Sequence, residues 1–173
     1  MQRVIKQQSG DTGQQDQWQL LTEVPTDFVP EKGAEYILPL SDWQSLAPVF
    51  SGFGQIPGVW FDADIELEPL EQVFASAPII AVSFPAFTDG SGFSTGSLIR
   101  EVFGYKGELR AFGSLLSDQL GYLRRCGYDS VALPEDQDME TGRQQFHAEM
   151  VSYQGDILQP FTPFRRRVRP PEG

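Results

Sequence analysis

A single cysteine, Cys126, and a single histidine, His147, are all that these 173 residues hold of the two side chains most used for redox and transition-metal chemistry. One cysteine excludes an internal disulfide and a cysteine metal cluster, and one histidine excludes a histidine-rich metal site. Basic residues are also scarce. Lys and Arg number 13 against 24 Asp and Glu, a formal net charge of -11. Such a chain repels phosphate backbones and anionic lipid on average, so neither nucleic acid nor a membrane is an expected partner. No run approaches the ~20 apolar residues that span a bilayer. The opening MQRVIKQQSGDTGQQDQ lacks the apolar core of a signal peptide. Together these absences predict a cytoplasmic protein.

What is present suits a globular domain. Hydrophobic residues make up 40%, aromatic 12% and charged 21%, which is enough apolar surface for a core without metal or disulfide staples. Residues 1–17, rich in Gln, Gly and Asp, predict a disordered lead-in, and 159–173 a Pro/Arg-rich tail holding Arg165, Arg166, Arg167 and Arg169. Between them, 18–158 form one α/β domain.

Within it, strand-like and helix-like segments alternate. Gln19 to Val24 is a possible edge strand, with Pro25 and Pro30 arguing against a helix. Five strand–helix pairs follow. Tyr36 to Leu40 precedes a helix with a Ser41–Gln44 capping box. Gly58 to Ile65 precedes a short helix with Pro69 in its first turn. Ile79 to Phe84 leads to a helix from Ser94 to Phe103 stopped by Gly104, and Glu108 to Phe112 to one from Ser114 to Cys126 stopped by Gly127. Ser130 to Leu133 comes before a helix carrying Met139, Phe146, Met150 and Tyr153. Such units predict right-handed crossovers and a mainly parallel sheet of about five strands, as an open sheet or a partial barrel. The apolar run Ile79 to Phe84 reads as a central strand, whereas Trp60, Asp62 and Asp64 alternate with apolar residues and look into a cleft, an edge or a partner.

Ligands of parallel α/β sheets sit beyond the carboxyl ends of the strands. Loops there contain Asp62 and Asp64, Thr88 to Ser94, Gly113 with Ser114, and Glu135 with Asp136. The richest is Asp89, Gly90, Ser91, Gly92 and Ser94, leading into a helix whose first N–H groups could hold a sulfate, sulfite or phosphate. A well-made turn explains the same residues. The loop lacks the lysine of a Walker motif and the third glycine of a dinucleotide fingerprint, so no nucleotide cofactor is evident. Arg110, inside a strand, reads either as a buried ion pair, with Asp62 or Asp64 on its face, or as a bidentate anchor for a carboxylate or sulfur oxyanion. Arg100 is a further anion-binding candidate, and Asp118 reads as a helix-dipole partner or a ligand contact. Cys126 is expected in the core. His147 has no nucleophile near it in sequence, and Trp43 and Trp60 read as packing residues.

The stretch Phe84 to Gly127 also resembles the signature region of the bacterial domain-of-unknown-function family nine-three-four. The matching pieces are Phe84-Pro85, Phe87, Asp89-Gly90, Gly92-Phe93-Ser94, Leu98, Arg100-Glu101, Gly107-Glu108-Leu109-Arg110-Ala111, Gly113, Asp118-Gln119-Leu120, Leu123 and Arg125-Cys126-Gly127. Trp60 to Leu70 and Phe146 to Tyr153 agree more loosely. The resemblance implies an accessory protein of sulfur assimilation, found beside sulfite reductase and carrying an oxidoreductase label. Where relatives have Arg between Asp-Gly and Gly, this chain has Ser91; an anion-binding role of that Arg would pass to Arg100 or Arg110. The expected function is an accessory protein of the sulfite-reduction step that binds an anionic metabolite or the reductase. Two alternatives stand beside it. One is a small enzyme using Asp89 or Asp118 as acid–base group on a sulfur or carboxylate metabolite. The other is a structural subunit, homodimeric or reductase-bound, joined through the half-exposed face of Val59 to Ile65.

Overall fold

In the computed structural model, which describes residues 3–7, 16–88, 90–148 and 157, alternating apolar residues become strands wherever both faces can be covered. Among the described residues seven strands form one sheet: β1 (Val4–Lys6), β2 (Trp18–Leu20), β3 (Glu35–Pro39), β4 (Gly58–Asp62), β5 (Ile79–Phe84), β6 (Glu108–Gly113) and β7 (Ser130–Ala132). Their order is β1-β7-β6-β5-β4-β3-β2, and the sheet is open and curled into a half-barrel. Every neighbouring pair is parallel except β1 against β7. The expected class is correct, with two strands more than the five anticipated.

Consecutive parallel strands joined by right-handed crossovers place all the helices on one side of the sheet. The five are α1 (Leu40–Ser51), α2 (Glu71–Ser76), α3 (Ser91–Glu101), α4 (Leu120–Arg125) and α5 (Met139–His147). Their buried residues Phe50, Val73, Ile99, Leu123 and Phe146 join Leu38, Phe61, Val82, Leu109 and Val131 of the strands in one core. The opposite, concave face holds a smaller cluster, Ile37, Ile79 and Ala81, partly covered by Trp18, Leu20, Trp60 and Phe112. The Trp60 and Phe112 rings meet edge to face at 5.5 Å. Trp60 thus packs inside the half-barrel, its indole N–H donating to the Leu21 carbonyl at 2.8 Å.

Several local expectations need correcting. The opening segment is not a frayed lead-in throughout, because Val4–Lys6 forms an edge strand and buries Ile5 against α5. Ser41 caps nothing: α1 begins one residue earlier, after Pro39, and the Ser41 hydroxyl donates to Asp42. Ser94 lies inside α3 rather than at its start, because the helix begins at Ser91. Ser114 starts no helix. Its N–H donates to the Phe84 carbonyl at 2.8 Å, which extends the β5–β6 pairing, and α4 opens later with a single 3-10 turn at Ser117–Gln119. Gly127 does stop α4, at φ +96°, a backbone conformation that glycine adopts freely and residues with a Cβ only at a cost. Met150, Tyr153 and the Arg-rich tail lie outside the described residues. No helix among the described residues is long and apolar enough to cross a membrane.

Candidate functional site

The carboxyl ends of β5 and β6 are tied to each other before their loops diverge. The Ser114 hydroxyl donates to the Pro85 carbonyl at 3.2 Å, and the Gln119 side chain donates to the Phe87 carbonyl at 2.8 Å. This brings the turn that holds the exposed Asp118 beside the loop leading to Gly90. Asp89 itself lies outside the described residues.

The glycines of this loop have a packing explanation. A Cβ on Gly92 would enter the Phe84 ring, and one on Gly96 the Tyr128 ring. Gly92 lets α3 settle onto Phe84 of β5, and Gly96, one turn on, lets it settle onto Tyr128 ahead of β7. Tyr128 donates to the Gly92 carbonyl at 2.6 Å, and the buried Thr95 hydroxyl donates to the Ala63 carbonyl at 2.6 Å. Burial pushes the Tyr128 phenol well above its ordinary value, so it stays a donor. Gly90 differs: it is exposed, and nothing lies within 4 Å of where its Cβ would be. Ser91 is half-buried and Ser94 exposed.

The two arginines of the expected anion site are at work elsewhere. Arg100 lies at the amino ends of β6 and β7, the end of the sheet opposite Gly90. It donates to the carbonyls of Gly127 (2.9 Å), Tyr105 (2.7 Å) and Gly107 (3.0 Å), and pairs with Asp129. It clamps the end of α3 to the two turns that feed those strands.

Arg110 points into the half-barrel and is 0% exposed. Sheet register sets its neighbours in a row, Trp60, Ala81, Arg110, Ser130 and Lys6. Its Nη1 and Nη2 donate to the two oxygens of Asp16 at 2.8 and 2.7 Å. Glu108 Oε1 accepts from Nη2 at 2.7 Å, and Ser130 Oγ lies 3.1 Å from Nε. Lys6 closes the network, 3.1 Å from Asp16 and 3.5 Å from Glu108. The sequence alternative of a buried ion pair is therefore realised, with Asp16 and Glu108 as partners in place of Asp62 and Asp64, which are exposed. Burial alone would pull the guanidinium pKa down, but Asp16 and Glu108 outweigh it and raise it. Burial likewise pushes Asp16 up, and the hydrogen bonds and charges of Arg110 and then Lys6 bring it below its ordinary value.

Two clefts flank the amino end of β6. One of about 290 Å³ reaches the Arg110 network through Lys6 and Glu108, with Lys106, Gly107 and Asp129 on its other walls. The second, about 580 Å³, lies between α2 and the end of α3 and is lined by Phe74, Val102, Phe103 and Tyr105 together with Glu71 and Lys106. Glu135 and Asp136 are exposed, and their loop is held by Arg3, which donates to the carbonyls of Pro134, Glu135 and Gln137. Cys126 is buried, as expected. His147 is pulled below its ordinary pKa by burial and then by Arg124 and Arg143. No group of three His, Cys, Asp or Glu among the described residues could hold a metal ion.

A family model of bacterial proteins of unknown function, DUF934, matches residues 58–164, more than half of the chain. The chain belongs to this family. No curated protein and no solved structure matches it. The DUF934 match starts at β4, so Glu108, Arg110 and Ser130 lie within it while Lys6 and Asp16 precede it. Sequence reasoning found Arg110 because a lone cation in an apolar strand is conspicuous. It missed Asp16, Lys6 and Asp129, because nothing in a linear sequence links an acid to a strand 94 positions away.

Proposed function

We propose that this protein is an accessory protein of sulfur assimilation, acting at the sulfite-reduction step, and that it works by docking on the reductase. The pathway rests on the family resemblance carried by Phe84 to Gly127. The docking mode rests on one observation, the apolar surface where α3 meets α2. Val102 is 66% and Leu98 44% exposed, one turn apart. Val102 continues into the 580 Å³ cleft, where Phe103 lies against Phe74 with ring centroids 4.7 Å apart. Contiguous exposed apolar surface beside an aromatic-lined cleft is what an anchoring side chain of a partner would fill. Glu71 on the cleft wall and the exposed Glu101 next to Val102, against the single Lys106, favour a partner that brings an apolar anchor with basic neighbours.

A deletion strain supplied with sulfate, sulfite or cysteine as its sole sulfur source tests the pathway. Poor growth on sulfate and sulfite with normal growth on cysteine is the expected pattern. Normal growth on all three would remove the pathway assignment.

A further inference from the structure

We propose that the cleft between α2 and α3 is filled by this chain's own residues 158–169, which lie outside the described residues. Phe161 and Phe164 seat in the cleft, and the arginines that follow lie against Glu71 and Glu101. The last described residue fixes where this segment sets out. Ile157 Cδ1 lies 3.0 Å from where a Cβ on Gly127 would stand, in contact with the turn that ends α4 and with the Arg100 side chain beside it. Arg100 in turn donates to the carbonyls of Tyr105 and Gly107, and both of those residues line the cleft. One arginine side chain therefore separates Ile157 from the cleft wall. Four residues of extended chain, about 13 Å, bring Phe161 across that gap, and seven, about 23 Å, bring Phe164.

The chemistry of the segment matches that of the cleft. Phe74, Phe103 and Tyr105 offer aromatic walls in about 580 Å³, with Val102 exposed at the edge. Gln159-Pro160-Phe161-Thr162-Pro163-Phe164 supplies two aromatic anchors. Each proline holds the residue before it extended, which lowers the ordering cost of docking. Arg165, Arg166, Arg167 and Arg169 follow at once. Glu71 on the wall and Glu101 beside Val102 outnumber Lys106 there, and residues 1–157 as a whole carry 9 basic against 23 acidic side chains. Opposite charge therefore meets at the cleft and over the body of the chain. The family match runs to residue 164, so it takes in both phenylalanines and stops where the arginines begin.

This self-docking does not depend on the reductase, but it bears on the same cleft. A tethered segment competes as though present at a concentration on the order of 1 mM. A partner that seats its own anchor between α2 and α3 has to displace it.

The test is disulfide trapping in the full chain without reductase, with oxidised glutathione as the oxidant. Thr162→Cys, between the two anchors, is paired with Val102→Cys or with Tyr122→Cys. Tyr122 is exposed on α4, the helix that Gly127 ends, so an undocked segment leaving Ile157 meets it readily. Thr162→Cys alone controls for reaction with the buried Cys126. The Val102 pair should close at least about tenfold faster than the Tyr122 pair, the factor that burying one phenylalanine side chain supplies. Its product should have the mass of one chain. Phe161→Ala with Phe164→Ala, or Arg166→Glu with Arg167→Glu, should slow it to the rate of the Tyr122 pair. Leu98→Cys, on the same exposed face, replaces Val102→Cys if that variant lowers Tm. Equal rates for the two pairs, or a Val102 rate that survives loss of both phenylalanines or of the arginine charge, would overturn the proposal. So would a product of twice the mass, which assigns the cleft to a second copy of the chain. None of these results depends on whether the reductase binds.

Discussion

Gly113→Ala against Gly90→Ala separates a glycine required by packing from one that is free, on two positions of the same loop cluster. At Gly113 the backbone has φ +106°, and an added Cβ would fall on the Phe84 carbonyl oxygen. Forcing alanine into that region of backbone space costs about 1–3 kcal/mol. The steric conflict costs about 1–3 kcal/mol more, and relief is poor because the neighbour is backbone held by the β5–β6 ladder. Alanine gains about 0.4–1 kcal/mol from its stiffer unfolded chain. The net loss is therefore about 3 kcal/mol, which for a chain of this length lowers Tm by about 6–12 °C. Gly90 has an ordinary φ of -81° and open space around its Cβ position, so Gly90→Ala should stay within about 0.5 kcal/mol of wild type. Urea unfolding followed by circular dichroism reads both. A loss under about 1 kcal/mol for Gly113→Ala, or an equal loss at Gly90, would refute the packing explanation of this end of the sheet.

Two other outcomes follow from the buried charges. Arg100→Lys cannot reach three carbonyls and Asp129 together, so the urea midpoint should fall by an amount equal to about 1–3 kcal/mol with the slope unchanged; an unchanged midpoint would show that the clamp contributes nothing. Asp16 has a folded pKa below its unfolded value, so its contribution is complete above the unfolded value of about 4 and is lost as pH falls through the lower folded value. Asp16→Asn should therefore flatten the fall of Tm with acid below about pH 4 relative to wild type, and parallel acid limbs in the two proteins would contradict the assignment.

How far the fold was legible depended on how many alternating residues each strand carries. Ile79–Phe84 is apolar enough to be bounded correctly at both ends, and Glu108–Gly113 differs from expectation by one residue. β1 escaped because three residues with one buried side chain carry no period of their own, and its pairing with β7 supplies the missing constraint. The serine caps failed for a related reason. Ser94 and Ser114 have suitable side chains, but Gly92 against Phe84 and the Ser114 N–H on the Phe84 carbonyl fix where the helices can begin. Of the candidate site, the importance of Arg110 was legible and its partner was not, since Asp16 is brought to it only by the curl of the sheet. Gly90 stands just ahead of α3 and Ser91, Gly92 and Ser94 lie within its first turn, so the helix starts earlier than expected, while Arg100 and Arg110 spend their charge at other places.

Docking on the reductase through α2 and α3 is the proposed mode of action. Sedimentation velocity of the purified chain mixed with sulfite reductase tests it most directly, with Val102→Asp, a change on an exposed side chain, run alongside. A faster-sedimenting complex with wild type that Val102→Asp abolishes is the expected result. Absence of a complex, or one that Val102→Asp leaves intact, would contradict it.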